Sequence, residues 1–412
     1  MVFFRQLYFI WLPPSFTVQI TKTNQKQAML DIKIIYIQDG ALEYPRTIEI
    51  LSKYPKAEII KVNSHWNIED LNLNPNSVKE WVNIKSHVLV LGIKNSISSR
   101  PNGRSTDWIA PSIANGCTGA CVYCYAARRK GYANPITTFV NIDKILGYLE
   151  RKCAKLGLKE LNQDCVDKVS TKSCKSSIDN LRQTDPKLWT FDIGENSDIS
   201  VDADISNNVY DLINLFARLP NAKACFATKF VNRNLLLYDP KGHSRIRFSL
   251  MPQTVSRIVD VRTSRIYDRI KAINEFVSAG YEVHINLSPV IVYDGWVKDY
   301  SDLFSQIDDT LNLKSKEQLA AEVIFLTHNE RLHQLNMQWH PKAEERFLWR
   351  HWESKDNKTH NKFGHEVIQQ KKLSQNGMVN LRYKNACKQN GVETLKKLMH
   401  RHMPYCRIRY AF

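Results

Sequence analysis

Three of the nine cysteines stand within eight residues, in the run Cys117-Thr-Gly-Ala-Cys121-Val-Tyr-Cys124-Tyr125. Thiols this close either converge on one centre or remain as oxidation-prone groups in a loop. Soft sulfur donors select zinc, copper(I) or iron–sulfur. A closed zinc site needs a fourth ligand, and downstream no Cys, His or Asp occurs before Asp143. A ferredoxin-type cluster needs a fourth cysteine, and the next one, Cys153, falls in a polar stretch. Three thiolates on a cubane leave one iron open, as a site that binds and reduces a small molecule requires. Gly116 and Gly119 supply the backbone freedom to wrap such a group. The spacing therefore favours a [4Fe–4S] cluster held by Cys117, Cys121 and Cys124.

Positioning such a loop takes a scaffold, and 412 residues suffice for one large α/β barrel-like domain with an appendage, or for two ordinary domains. Short runs rich in β-branched and aromatic residues recur at Leu188–Ile193, Ala222–Thr228, Ser244–Leu250, Tyr281–Leu287 and Ala320–Thr327. Between them lie amphipathic stretches. Val209, Leu212, Ile213 and Phe216 share one helical face, as do Ile266, Ile270, Ile273 and Val277. Such alternation predicts parallel strands joined by crossover helices.

The chain divides into a leader at 1–30, an N-terminal α/β segment at 31–105, a barrel at 106–340 interrupted by a polar insertion at 151–187, and a basic appendage at 341–412. The apolar start, Met1 to Pro13, is too short to span a bilayer. It is read as a disordered or misassigned leader, with Met29 as a plausible start, and folded structure is expected from Ile32. The cysteines of the insertion are read as unpaired thiols of a surface loop. The chain is expected to end in a strand at Cys406–Phe412.

Lysines and arginines number 58 against 41 aspartates and glutamates. Residues 341–412 alone carry 16 basic and 6 acidic side chains, so this end favours a polyanionic partner. Trp349, Trp352, Tyr383, Tyr405 and Tyr410 interleave stacking surfaces with those charges, which points to nucleic acid. An odd number of cysteines without a regular framework fits a reducing compartment, so the chain is expected to be cytoplasmic with no membrane association.

From about Ile34 to the C-terminus the sequence resembles the spore photoproduct lyase family of the radical S-adenosylmethionine superfamily. The resemblance rests on Ala41-Leu-Glu-Tyr-Pro45, Cys121-Val-Tyr-Cys-Tyr125, Asn134-Pro135, Phe139-Val-Asn-Ile-Asp143, Phe226-Ala-Thr-Lys-Phe230, Arg245-Ile-Arg-Phe-Ser249, Ala279-Gly-Tyr281, Pro289, Asp294-Gly-Trp296 and Arg407-Ile-Arg-Tyr410. It implies a partial (β/α)6 TIM-like barrel carrying a basic C-terminal appendage with a lesion-binding β-hairpin, placed within Lys362–Lys384. It implies that S-adenosylmethionine binds the open iron and is cleaved to methionine and a 5′-deoxyadenosyl radical. The implied contacts to S-adenosylmethionine are Ser197, Lys229 and Ser249, with Tyr123 and Tyr125 beside the cluster and substrate. The implied activity is carbon–carbon bond scission in a UV-induced thymine dimer of DNA, with a flavodoxin or ferredoxin as electron donor.

One position departs from the family. Two residues before Ser197 the family has a cysteine that returns a hydrogen atom to the product radical, and this chain has Glu195. A carboxylic O–H bond is too strong for that task. Gly194-Glu195 is instead similar to the Gly-Gly-Glu element with which other radical S-adenosylmethionine enzymes hold the cofactor's amino group. A second reading follows: an enzyme of the same architecture acting on another nucleic-acid or nucleotide substrate. Cys225, four residues before Lys229 on one strand and about 13 Å deeper, is poorly placed to replace the donor.

Overall fold

The computed structural model describes residues 30–71, 76–102, 105–124, 126, 134–159, 185–348, 368–373 and 379–411. The leader expected at 1–30 lies outside them up to residue 29, as do most of the insertion and Lys362-Phe-Gly364.

The chain opens with β1 (Ile34–Gln38), α1 (Pro45–Lys53), β2 (Glu58–Val62), α2 (Val78–His87) and β3 (Val88–Gly92). Pro45 stands at the start of α1, where a fixed φ and a missing N–H cost nothing. The continuous apolar run of β3 is buried throughout, as a parallel strand covered on both faces requires. Then come β4 (Arg100–Pro101), β5 (Trp108–Ile109), β6 (Ala114–Asn115) and β7 (Ile136–Phe139). The first sheet has the order β2-β1-β3-β7-β6, so it draws its last two strands from beyond residue 105. Between β6 and β7 lies the cysteine run. It is therefore an excursion from the N-terminal sheet.

The second sheet follows the predicted rhythm. Its elements are α3 (Ile142–Leu156), β8 (Trp189–Asp192), α4 (Ile199–Ile205), α5 (Asn208–Arg218), β9 (Ala222–Thr228), β10 (Ser244–Leu250), α6 (Gln253–Val259), α7 (Ile266–Ser278), β11 (Glu282–Val290), α8 (Trp296–Thr310), α9 (Leu313–Gln318) and β12 (Ala320–Phe325). The remaining elements are β13 (Thr327–Asn329), α10 (Glu330–Trp339), β14 (Gln369–Leu373), β15 (Val379–Tyr383), α11 (Asn385–His402) and β16 (Arg407–Ala411). The sheet order is β16-β12-β11-β10-β9-β8-β5-β4, and every pairing from β16 to β5 is parallel. It is a curled half-barrel. The expected final strand is β16, so the chain's end closes one edge of the barrel against β12. The hairpin expected in the tail is β14–β15, extended by β13 to a three-stranded sheet.

Cys153, read as a surface thiol of the insertion, sits instead on the core face of α3 and is fully buried. A polar neighbourhood in sequence hid the helical spacing of Ile142, Ile145, Leu149 and Cys153.

Alternate residues of the barrel strands face opposite worlds. On β10, Ile246, Phe248 and Leu250 join the apolar core under the helices. The alternate Arg247 binds Asp192 of β8 at 2.8 Å and Glu322 of β12 at 3.0 Å, strands that are not its neighbours, so the sheet's curl brings them together. Glu282 of β11 gathers Arg245 at 2.8 Å, Lys223 at 2.5 Å and His284 at 2.9 Å. Removing these ions from water is costly, and only mutual pairing offsets it. Arg409 of β16 donates to Nδ1 of His284 at 2.9 Å, which leaves Nε2–H to donate to Glu282. The ring is thereby held neutral.

Burial first, and Arg245 after it, lower the His284 imidazole to about 4 in spite of Glu282. A ring that resists protonation only when folded contributes stability that is complete above its ordinary 6.5 and is lost as pH falls toward 4. The expected loss over that window is about 3 kcal/mol. Denaturation of wild type and of His284→Gln at pH 7 and pH 4.5 checks this: the wild type should lose more stability than the variant, and equal losses would contradict it.

Candidate cluster and cofactor site

Backbone bonds fix the cysteine loop. Gly116 has φ +79°, and a Cβ there would lie 2.6 Å from the Pro135 carbonyl oxygen, so both conformation and space require glycine. Its N–H donates to the Asn196 carbonyl at 2.8 Å, and it forms a parallel bridge with Ser197. The loop that follows β8 is thus tied directly to the first cysteine. Ala120 N–H donates to Val261 O and Val122 N–H to Val259 O, both at 3.0 Å, which docks the middle of the loop on the end of α6. Asn336 of α10 donates to Val122 O at 2.7 Å, and Lys85 of α2 donates to Cys117 O at 3.0 Å.

The three cysteines are half-buried. Burial pushes the Cys117 thiol up to about 11 against the opposing charge of Lys85. It raises Cys121 well above the ordinary thiol value against Lys229, and each thiol also feels Cys124. Protons leave such a site readily only when a strong cation replaces them. Three sulfur donors on a loop whose carbonyls and amides are already bonded suit an iron–sulfur cluster.

Around the loop stand the ends of β8, β9 and β10, the edge of a parallel barrel where sites form. Lys229, just past β9, places Nζ 2.8 Å from Asp260 Oδ1, 4.3 Å from the centre of the Tyr123 ring, and in contact with the Tyr123 hydroxyl. That hydroxyl donates to Asp260 as well. Burial alone would raise the Asp260 carboxyl, yet Lys229 and Arg269 outweigh it and hold it below the ordinary range. Arg269, fully buried, bonds Asp260 at 3.2 Å and the Ser249 carbonyl at 2.7 Å. Ser249 is thereby linked to Lys229 through two charged groups.

Ser197 donates to Asp202 Oδ2 at 2.6 Å. Its neighbour Asp198 caps α4 through Ser200 N–H at 3.1 Å and accepts the Thr228 hydroxyl at 2.7 Å and the Lys229 N–H at 3.0 Å, which locks the end of β8 to that of β9. Glu195 pairs with Arg100 of β4. Tyr125 lies outside the described residues. The loop thus brings Tyr123 together with Lys229, and Gly116 with Ser197.

The model of the family described as Spore photoproduct lyase matches residues 31–162 and 166–412. The chain belongs to the spore photoproduct lyase family. Among curated relatives, spore photoproduct lyase of Bacillus subtilis (strain 168) is 27% identical over 296 residues, 71% of this chain and 77% of its own length. That of Geobacillus sp. (strain Y412MC61) is 24% identical over 296 residues, again 71% and 77%. The fold is that of solved spore photoproduct lyases. A doubly substituted form with bound AdoMet and dinucleoside spore photoproduct has TM-score 0.74 at 20% identity, covering 93% of this chain and 99% of that one. A complex with the dinucleoside spore photoproduct has the same values.

Enzymes of this family use a [4Fe–4S] cluster and S-adenosylmethionine, and together these supply an electron and a hydrogen-abstracting organic radical. Among the described residues, no helix is long and apolar enough to cross a membrane.

Sequence reading overlooked Asp198, Asp260, Arg269 and Lys85. No local spacing marks them, because each acts across the fold. The sole hint for Asp198 was its place before the apolar turn Ile199–Ile205, the position of a helix cap.

Gly116→Ala should displace the Pro135 carbonyl and with it Cys117. Iron and sulfide per chain after anaerobic reconstitution should fall at least severalfold relative to wild type; full loading of a folded variant would contradict the assignment.

Proposed function

We propose that the chain is a radical S-adenosylmethionine lyase that repairs a UV-induced thymine dimer of DNA, the spore photoproduct 5-thyminyl-5,6-dihydrothymine, by hydrogen abstraction and scission of the bond between the bases. The observation that carries it is the junction of the cysteine loop with the ends of β8 and β9, through Gly116–Ser197 and Tyr123–Lys229. In this reading Cys117, Cys121 and Cys124 hold the cluster. Ser197, Lys229 and Ser249 bind S-adenosylmethionine, with Lys229 sharing its charge between Asp260 and the methionyl carboxylate. Tyr123 and Tyr125 flank the cluster and the lesion. A flavodoxin or ferredoxin of the cytoplasm supplies the electron.

DNA lies along the hairpin and α11. Lys372 is exposed on β14. The Lys388 ammonium is lowered first by burial and then by Arg382 and Lys372, so three cations are crowded on one face. A phosphate is attracted to that positive charge. Lys372→Ala with Lys388→Ala should weaken DNA binding and reduce the slope of log K against log salt by about 2.

Reduced, reconstituted enzyme given S-adenosylmethionine and the dinucleotide lesion should release the thymine pair. Formation of 5′-deoxyadenosine without thymine release would sink the substrate assignment. The ion pair of Glu195 with Arg100 favours a second reading, another nucleic-acid substrate whose turnover needs no thiol donor. Stimulation of 5′-deoxyadenosine formation by RNA or undamaged DNA, and not by the lesion, would support it. If the lesion is the substrate, Glu195→Cys should raise thymine released per 5′-deoxyadenosine severalfold.

A further inference from the structure

A second group of metal-binding side chains lies beneath the hairpin. His328 of β13, His333 of α10 and Glu344 offer ligand atoms that all lie within 4.8 Å of one another. Nε2 of His328 is 2.8 Å from Glu344 Oε1, and Nδ1 of His333 is 2.8 Å from Glu344 Oε2. His328 and Glu344 are fully buried, whereas the His333 side chain is 18% exposed and opens the group to solvent.

We propose that His328, His333 and Glu344 bind a zinc ion, separate from the cluster of Cys117, Cys121 and Cys124. Two imidazole nitrogens and one carboxylate form a donor set that zinc accepts with one position left open. Ligand atoms around a tetrahedral zinc stand about 3.4 Å apart, and the separations here require only small side-chain movements to reach that spacing. Zinc takes a lone pair from one nitrogen of each imidazole, whose N–H then lies on the other nitrogen, so no co-reactant is needed.

The surroundings are those of a ligand set. Asn336 donates to Glu344 Oε1 at 2.7 Å with the same amide group that donates to Val122 O in the cysteine loop. Outer partners of this kind orient metal-binding carboxylates. Glu344 opens a π-helical turn, Glu344–Leu348, a rare geometry that recurs at functional sites and here turns the carboxylate inward. The three ligands come from a strand of the hairpin sheet, the helix after it and this turn. A zinc ion would fasten all three to the cysteine loop through Asn336.

The test uses the full chain with Cys117, Cys121 and Cys124 changed to alanine, so that zinc held by cluster thiols cannot contribute. After equilibration with zinc and dialysis, elemental analysis should give about one zinc per chain. His333→Ala, which removes a part-exposed side chain, and Glu344→Gln in the same background should each lower zinc affinity more than tenfold, with circular dichroism confirming that each is folded. A folded triple variant without stoichiometric zinc would overturn the proposal. So would zinc binding that a folded His333→Ala variant leaves unchanged.

Discussion

The backbone of Gly116 is the constraint on which the rest of the molecule depends. It must pass within van der Waals contact of the Pro135 carbonyl, adopt a left-handed φ, and give its N–H to Asn196 of the barrel. Only glycine meets the first two conditions together. The third joins the two sheets, because Gly116 follows β6 of the N-terminal sheet while Asn196 follows β8 of the barrel. The cysteine loop therefore leaves one sheet and is received by the other. Its position relative to Ser197 is set by main-chain bonds, which hold a site more tightly than flexible side chains do, while Lys229 meets it through the side chain of Tyr123.

Charge is handled in two different ways on the concave side of the barrel. Deep in the barrel, Arg245, Arg247, Lys223 and Arg409 are matched by Asp185, Asp192, Glu282 and Glu322, so the interior is polar and neutralised. At the upper rim, Lys229, Arg269 and Asp260 form a smaller set that touches Tyr123 between the second and third cysteines. The first set builds the curl. The second places a cation beside the cluster loop, where an anionic cofactor group would be received.

The barrel was legible because its signals are local. Ala222–Thr228 and Ser244–Leu250 are strands with the bounds that their β-branched and aromatic runs indicate, and Ile266–Ser278 ends just before Gly280, whose φ is +88°. The cysteine spacing was equally plain. What stayed hidden is non-local. With two residues in β6 and four in β7 there is too little periodicity to read, so the extension of the N-terminal sheet past residue 105 could not be foreseen. Asp198, Asp260 and the triad of His328, His333 and Glu344 gain their partners only when distant segments pack. Cys153 was misjudged because charged neighbours on the outer face of α3 masked its buried face.

The family match covers nearly the whole chain, and the central chemical claim is that the cysteine loop holds a cluster with one iron open to S-adenosylmethionine. Electron paramagnetic resonance of the anaerobically reconstituted, reduced protein tests it most directly. A [4Fe–4S]+ signal is expected whose g values shift when S-adenosylmethionine is added, with the signal lost in Cys121→Ala. A spectrum indifferent to S-adenosylmethionine, or a folded protein that binds zinc in place of iron and sulfide at these cysteines, would contradict it.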